Sequence, residues 1–153
     1  MIPTASRCTA TLALMLSLLA GPAQAQAQAQ AQAPDDTLYQ ALGGQRGLVR
    51  LVDDLGLRLM ADARMKPFFK DVNMPELKDK LAVQFCEVSG GPCKRKGPDM
   101  KVAHDGFDIT KSDFNALVEV LQLSMDAQGI AFGAQTRLLA RLAPMHRQII
   151  NVP

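Results

Sequence analysis

Between Thr37 and Ile150 the apolar residues of this chain return every three to four positions, and nowhere do they alternate with polar ones over five or more residues. A spacing near 3.6 places apolar side chains on one stripe of a helix, whereas a half-buried strand needs a period of two. The pattern predicts an all-α fold. From Gln45 to about Asp62, residues Leu48, Val49, Leu51, Val52, Leu55 and Leu59 form one wide stripe, with Arg46, Arg50, Asp53, Asp54 and Arg58 outside it. The firmest helix signal begins at Thr110. With Asp113 it makes a capping box, and Phe114, Leu117, Val118, Leu121 and Met125 follow at helical spacing until Gly129.

The remaining elements follow from stops and breakers. Thr37 to Leu42 reads as a short helix closed by Gly43-Gly44, and Pro67 forces an irregular corner that turns Phe68-Phe69 inward. Asn73 followed by Glu76, with Pro75 in the first turn, starts a helix carrying Leu77, Leu81, Gln84, Phe85 and Val88, which Gly90-Gly91-Pro92 stops. A last helix spans about Gly133 to Ile150 with Leu138, Leu139, Leu142, Met145 and Ile149 on one side, and Pro144 should kink it. Four substantial helices with short connectors result.

The first segment has a different character. Arg7, an apolar run from Thr11 to Ala20, and Pro22-Ala23-Gln24-Ala25 make up the charge, core and small-x-small site of a signal peptide over residues 1–25. The run is too short to span a bilayer, which takes about 20 apolar residues. Strict alanine-glutamine alternation from Ala23 to Ala33, ending in Pro34-Asp35-Asp36, reads as a low-complexity linker over 26–36 that buries nothing. The folded domain is then 37–151. Its expected location is periplasmic or secreted, with no membrane attachment after cleavage.

In such a compartment Cys86 and Cys93, facing each other across Gly90-Gly91-Pro92, could close a small disulfide loop. They could also stay as two thiols, and a soft metal site would be short of ligands. The formal net charge of +2 falls on removal of Arg7, and one tyrosine with no tryptophan leaves no stacking platform, so nucleic acid is not an expected partner. The Lys94-Arg95-Lys96 triplet reads as a solvated loop or as a contact for an acidic ligand group.

The chain has two histidines. His146 lies beside Arg147 and Gln148, where a solvated imidazole is the plainer reading. His104 ends a short helical turn whose Met100 and Ala103 can face a core, and Gly106 breaks the helix just after it. An imidazole there could ligate a metal through one ring nitrogen while the other donates to a backbone carbonyl. A structural histidine beside an apolar stripe is the competing reading.

Taken together, Leu38-Tyr39 with Gly43-Gly44, Phe68-Phe69, Asn73-Met74, Gly90-Gly91-Pro92, Gly97, Met100 with His104, Gly106, Ile109-Thr110, Phe114 and Ala143-Pro144 form a spaced set from about Thr37 to Ile150. The set resembles the truncated haemoglobins of group 1, a two-over-two helical globin family that holds haem b. The resemblance implies that His104 is the axial ligand of the iron and that Phe69 packs on the porphyrin face. It further implies a cofactor cavity lined by Leu77, Leu81, Phe85, Met100, Phe114, Leu117, Leu121, Met125, Leu138 and Leu142. A porphyrin is a large flat apolar disc, so two opposed apolar walls and one nitrogen donor suit it.

Two departures bear on function. The phenylalanine-tyrosine pair usual in the family's second helix aligns with Leu55-Gly56, so the hydroxyl that would donate to a bound gas is missing. Leu77 and Leu81 occupy positions that often bring a polar group, which leaves Gln84 as the nearest candidate donor. Lys80 stands where some members swing a side chain onto the iron, although a lysine pairing with a haem propionate or with solvent is the commoner arrangement. Arg95 and Lys101 are similar propionate candidates. The implied function is reversible binding of oxygen, nitric oxide or carbon monoxide. A nitric oxide dioxygenase or peroxidase-like enzyme, which would need an electron donor, and a cofactor-free helical interaction module are the alternatives.

Overall fold

A computed structural model describes residues 35–152, which therefore exclude the signal-peptide segment and nearly all of the linker. The helices are α1 (Thr37–Ala41), α2 (Gly44–Ala61), α3 (Lys66–Phe69), α4 (Met74–Val88), α5 (Met100–Ala103), α6 (Lys111–Ala127), α7 (Phe132–Leu142) and α8 (His146–Ile149), with a 3-10 turn at Ala143–Met145 between the last two. Among the described residues there is no strand, and no helix is long and apolar enough to cross a membrane.

Helix α2 is the centre of the fold. It buries Leu48, Leu51, Val52, Leu55 and Leu59 and packs mainly on α4 and α6. Val49, placed in the stripe by spacing, is instead exposed, because the buried arc is narrower than the six residues suggest. Full burial of a leucine contributes about 1.5–3 kcal/mol, so this one stripe supplies much of the stabilisation. The left-handed Gly43 (φ 84°) lets the chain turn sharply from α1 into it.

The capping signals form as their residue types require. At Thr110 the box is complete: Asp113 N–H donates to Thr110 Oγ1 (3.2 Å) and Thr110 N–H to Asp113 Oδ2 (3.0 Å). Donation from the Thr110 hydroxyl and N–H holds the Asp113 carboxyl below its usual range. Asn73 accepts from Glu76 N–H (3.3 Å), but the Glu76 carboxylate reaches only the Asn73 side-chain amide, so that cap is not reciprocal. Pro67 begins a single helical turn rather than an irregular corner, since proline suits a first-turn position. Pro144 does more than kink the last helix, replacing one turn by 3-10 geometry.

The far end of α4 is held from three directions. Its orphan carbonyls accept from Gly91 N–H (at Cys86, 2.8 Å), from Arg141 Nη1 (at Val88, 2.7 Å) and, at Ser89, from Tyr39 N–H (3.1 Å). Cys86 and Cys93 are joined as a disulfide with Cα atoms 5.7 Å apart. The cross-link ties the end of α4 to the loop leading into α5. Cys93→Ala should lower the unfolding free energy by about 2–3 kcal/mol, the loop-closure value for so short a ring. The check is denaturant unfolding of parent and variant with and without reductant, in which the reduced parent should approach the variant.

Candidate functional site

Helix α5 is one turn long, and it is made by its cap. Asp99 Oδ1 accepts from Val102 N–H (2.8 Å), which starts the turn, and His104 follows its last residue with φ −118°. The half-buried imidazole lies with Nδ1 2.7 Å from the Met100 carbonyl oxygen. A carbonyl can only accept, so Nδ1 carries a proton, and in the neutral ring Nε2 keeps its lone pair. Met100 thus contributes through its backbone, fixing the tautomer that a metal ligand requires.

The residues expected to wall the cofactor differ in how they are packed. Phe85 from α4 and Leu121 from α6 belong to the buried core, and Phe69, Leu81, Leu117 and Leu142 pack against that core while remaining partly open. Met125 and Leu138 are fully buried. Leu77, Met100 and Phe114 are half-buried but lie outside the packed cluster. Helix α4 packs on α2 and α7 and α5 packs on α8, without extensive packing between α4 and α5. An open cleft of about 460 Å³ lies between Pro67, Phe68, Asp71 and Val72 on one side and Gly106 and Phe107, just past His104, on the other.

The polar residues near α4 are engaged elsewhere. Lys80 is 70% exposed and pairs with Glu76 at 2.6 Å, one helical turn back, and this neighbour holds the Glu76 carboxyl below its usual range. In this pairing the Lys80 ammonium lies on the surface of α4. Gln84 is only 7% exposed, its Nε2 donates to Met145 Sδ (3.5 Å), and its Oε1 has no partner. The amide is turned toward the 3-10 turn. Arg95 donates from its guanidinium to the Pro98 carbonyl within its own loop, and Lys101 is exposed.

Gly56, at the position of the missing hydroxyl, has a neighbour that sequence reasoning did not identify. A Cβ there would lie 3.2 Å from Lys78 Cδ and 4.0 Å from Met74 Sδ. The Lys78 stem therefore covers the glycine, and its Nζ pairs with Asp53 Oδ1 at 2.6 Å on α2. Asp53 and Lys78 are of opposite charge, but nothing local in the sequence brings them together. His146 is exposed, yet its ring packs edge-on against Phe114 with centroids 6.3 Å apart, so it is not simply solvated.

Among the described residues no cluster of three or more His, Cys, Asp and Glu side chains could hold a bare metal ion. One imidazole whose Nδ1 is engaged by a backbone carbonyl, two residues from the edge of a cleft, suits a metal that arrives with other donors. Iron in a porphyrin has that form, and the residues present fit it.

The bacterial-like globin family matches residues 37–151. The chain belongs to this family. A group 1 truncated hemoglobin of Mycolicibacterium paratuberculosis is 30% identical to this globin over 113 residues, which is 74% of this chain and 83% of the relative. One from Nostoc commune is 27% identical over 115 residues, covering 75% and 98%. Among solved structures, the truncated hemoglobin of Tetrahymena pyriformis in its Fe(III) form shares the fold with a TM-score of 0.72 at 24% identity, covering 74% of this globin and 97% of that chain. The 2/2 hemoglobin of Synechococcus follows at 0.70 and 22%, covering 74% and 98%. The all-α architecture is that of a two-over-two globin of group 1.

Proposed function

We propose that this globin binds haem b through Nε2 of His104 and holds a diatomic gas reversibly at the iron. The observation that carries the reading is the Nδ1–H to Met100 carbonyl bond, which leaves Nε2 as a ready donor. Family membership supports a haem cofactor. When bound, haem supplies a metal with one coordination position open to a gas. The chain's own part is to fix the imidazole, to exclude water with Phe69, Leu81, Leu117 and Leu142, and to set the polarity of the opposite side.

On this reading the opposite side offers the gas no hydroxyl donor. Gly56 carries no hydroxyl, Lys80 is paired with Glu76, and Gln84 donates to Met145. A buried hydrogen bond to a polarised ligand contributes on the order of 1–3 kcal/mol, so its lack should speed oxygen release roughly ten- to a hundred-fold relative to a hydroxyl-bearing pocket. The same lack disfavours peroxide or nitric oxide chemistry, which gains from a polar group on that side and needs an electron donor. The apolar run and small-x-small site before residue 26 support export, and cleavage there would leave the linker at the new terminus.

The test is the absorption spectrum of the protein titrated with haemin, ferric and then reduced, followed by stopped-flow release of oxygen. A stoichiometric Soret band and fast release are expected. A colourless protein would remove the haem reading and leave a helical interaction module. Nitric oxide turnover above the free-haemin background would replace carriage by catalysis.

A further inference from the structure

The Nδ1 bond to Met100 fixes the His104 ring relative to α5, but α5 is a single turn that packs on α8 alone among the larger contacts. Between Ala103 and Lys111 the chain has no regular element, and Asp105, Gly106, Phe107 and Asp108 are all exposed, with Asp108 in the left-handed region at φ 52°. Something must hold this stretch in place.

Asn151, just past α8, meets it at both ends. Its Nδ2–H donates to the His104 carbonyl at 3.0 Å, and its Oδ1 accepts from Ile109 N–H at 2.6 Å. The backbone N–H groups of Asn151 and Val152 add donations to the Ile109 carbonyl at 3.1 and 3.3 Å. One primary amide therefore bridges the turn, using its donor at residue 104 and its acceptor at residue 109. No other side chain of that length offers both functions.

We propose that Asn151 is the positioning residue of His104, setting the height and tilt at which Nε2 meets the iron; this rests on the reading of His104 as haem ligand. Asn151→Asp isolates the claim, because a carboxylate can still accept from Ile109 N–H but cannot donate to the His104 carbonyl and instead sets an oxygen against it. Asn151→Leu removes both bonds.

The experiment reconstitutes parent and both variants with haemin. It measures the rate of haem transfer to excess apomyoglobin, the iron–imidazole stretching band of the reduced unliganded protein, and helicity. Haem should leave Asn151→Asp roughly five- to ten-fold faster than the parent, the factor expected for one lost hydrogen bond, with a shifted stretching band and unchanged helicity. Asn151→Leu should be affected at least as much. Parent-like rate and band in Asn151→Asp overturn the proposal and reduce Asn151 to a clamp on Ile109. Faster loss without a band shift also overturns it, since general loosening of the fold would do the same. A parent without a Soret band overturns the ligand reading itself, and so is told apart from failure of the asparagine alone.

Discussion

A His104→Gly protein should take up haemin at least about a hundredfold more weakly than its parent, and added imidazole should restore most of the loss. Groups that merely orient a metal ligand are worth about ten- to a hundred-fold in affinity, so the ligand itself sits at or above the top of that range. The substitution is mild for the fold. The side chain is half-buried and makes one hydrogen bond, to Met100, worth about 1 kcal/mol, and glycine tolerates the local backbone. Rescue matters because free imidazole can occupy the vacated space and donate to the iron, whereas it cannot mend a damaged fold. Equal haemin affinity in parent and variant would show that another group anchors the cofactor.

A loss of stability as large as that from opening the disulfide is expected at Gly47→Ala. Alanine is favoured over glycine inside a helix by about 1 kcal/mol, and Gly47 lies in the first turns of α2, so propensity alone predicts a gain. Space decides otherwise. A Cβ at Gly47 would stand 1.9 Å from the carbonyl oxygen of Leu42 and 2.8 Å from its carbonyl carbon. Both are backbone atoms of a residue that is itself buried, so neither can move without shifting α1 against α2. The net cost should be about 2–3 kcal/mol, near the top of the range for overpacking, and the melting temperature should fall by roughly 10 °C. Gly133→Ala in the first turn of α7 is the control, because its Cβ would meet nothing within 4 Å. It should be neutral or stabilising by up to about 1 kcal/mol. Equal behaviour of the two variants in thermal melts would refute the steric argument.

The helices were readable wherever a local signal sufficed. Thr110 and Asp113 are three residues apart, so their reciprocal bonds depend on no other part of the chain. The stripe of α2 is equally local, though its width was overestimated at Val49 because the packing arc depends on neighbours. Short elements were harder. A single turn such as Lys66–Phe69 has too few residues to show a period, and the 3-10 turn at Ala143–Met145 differs from a kink only in backbone detail.

In the candidate site, His104 stood out because Met100, Ala103 and Gly106 surround it within one turn. Lys80 could have been read as paired from Glu76 four residues earlier, a helical spacing that sequence alone displays. Lys78 over Gly56 and Asn151 on His104 were not legible, since each joins segments far apart in the chain and carries no motif. The resemblance marked the loss of the hydroxyl at Gly56; only three dimensions identified its neighbour.

The Cys86–Cys93 cross-link has a consequence for loading. The connection between α4 and α5 runs over residues 89–99, and the cross-link at Cys93 leaves only 94–99 of it outside the closed ring. Roughly halving a flexible span lowers its closure entropy by about 0.6 kcal/mol, which raises the effective concentration of the imidazole beside its pocket by nearly threefold. Oxidation of the two thiols before the cofactor arrives would therefore narrow the search that the histidine must make.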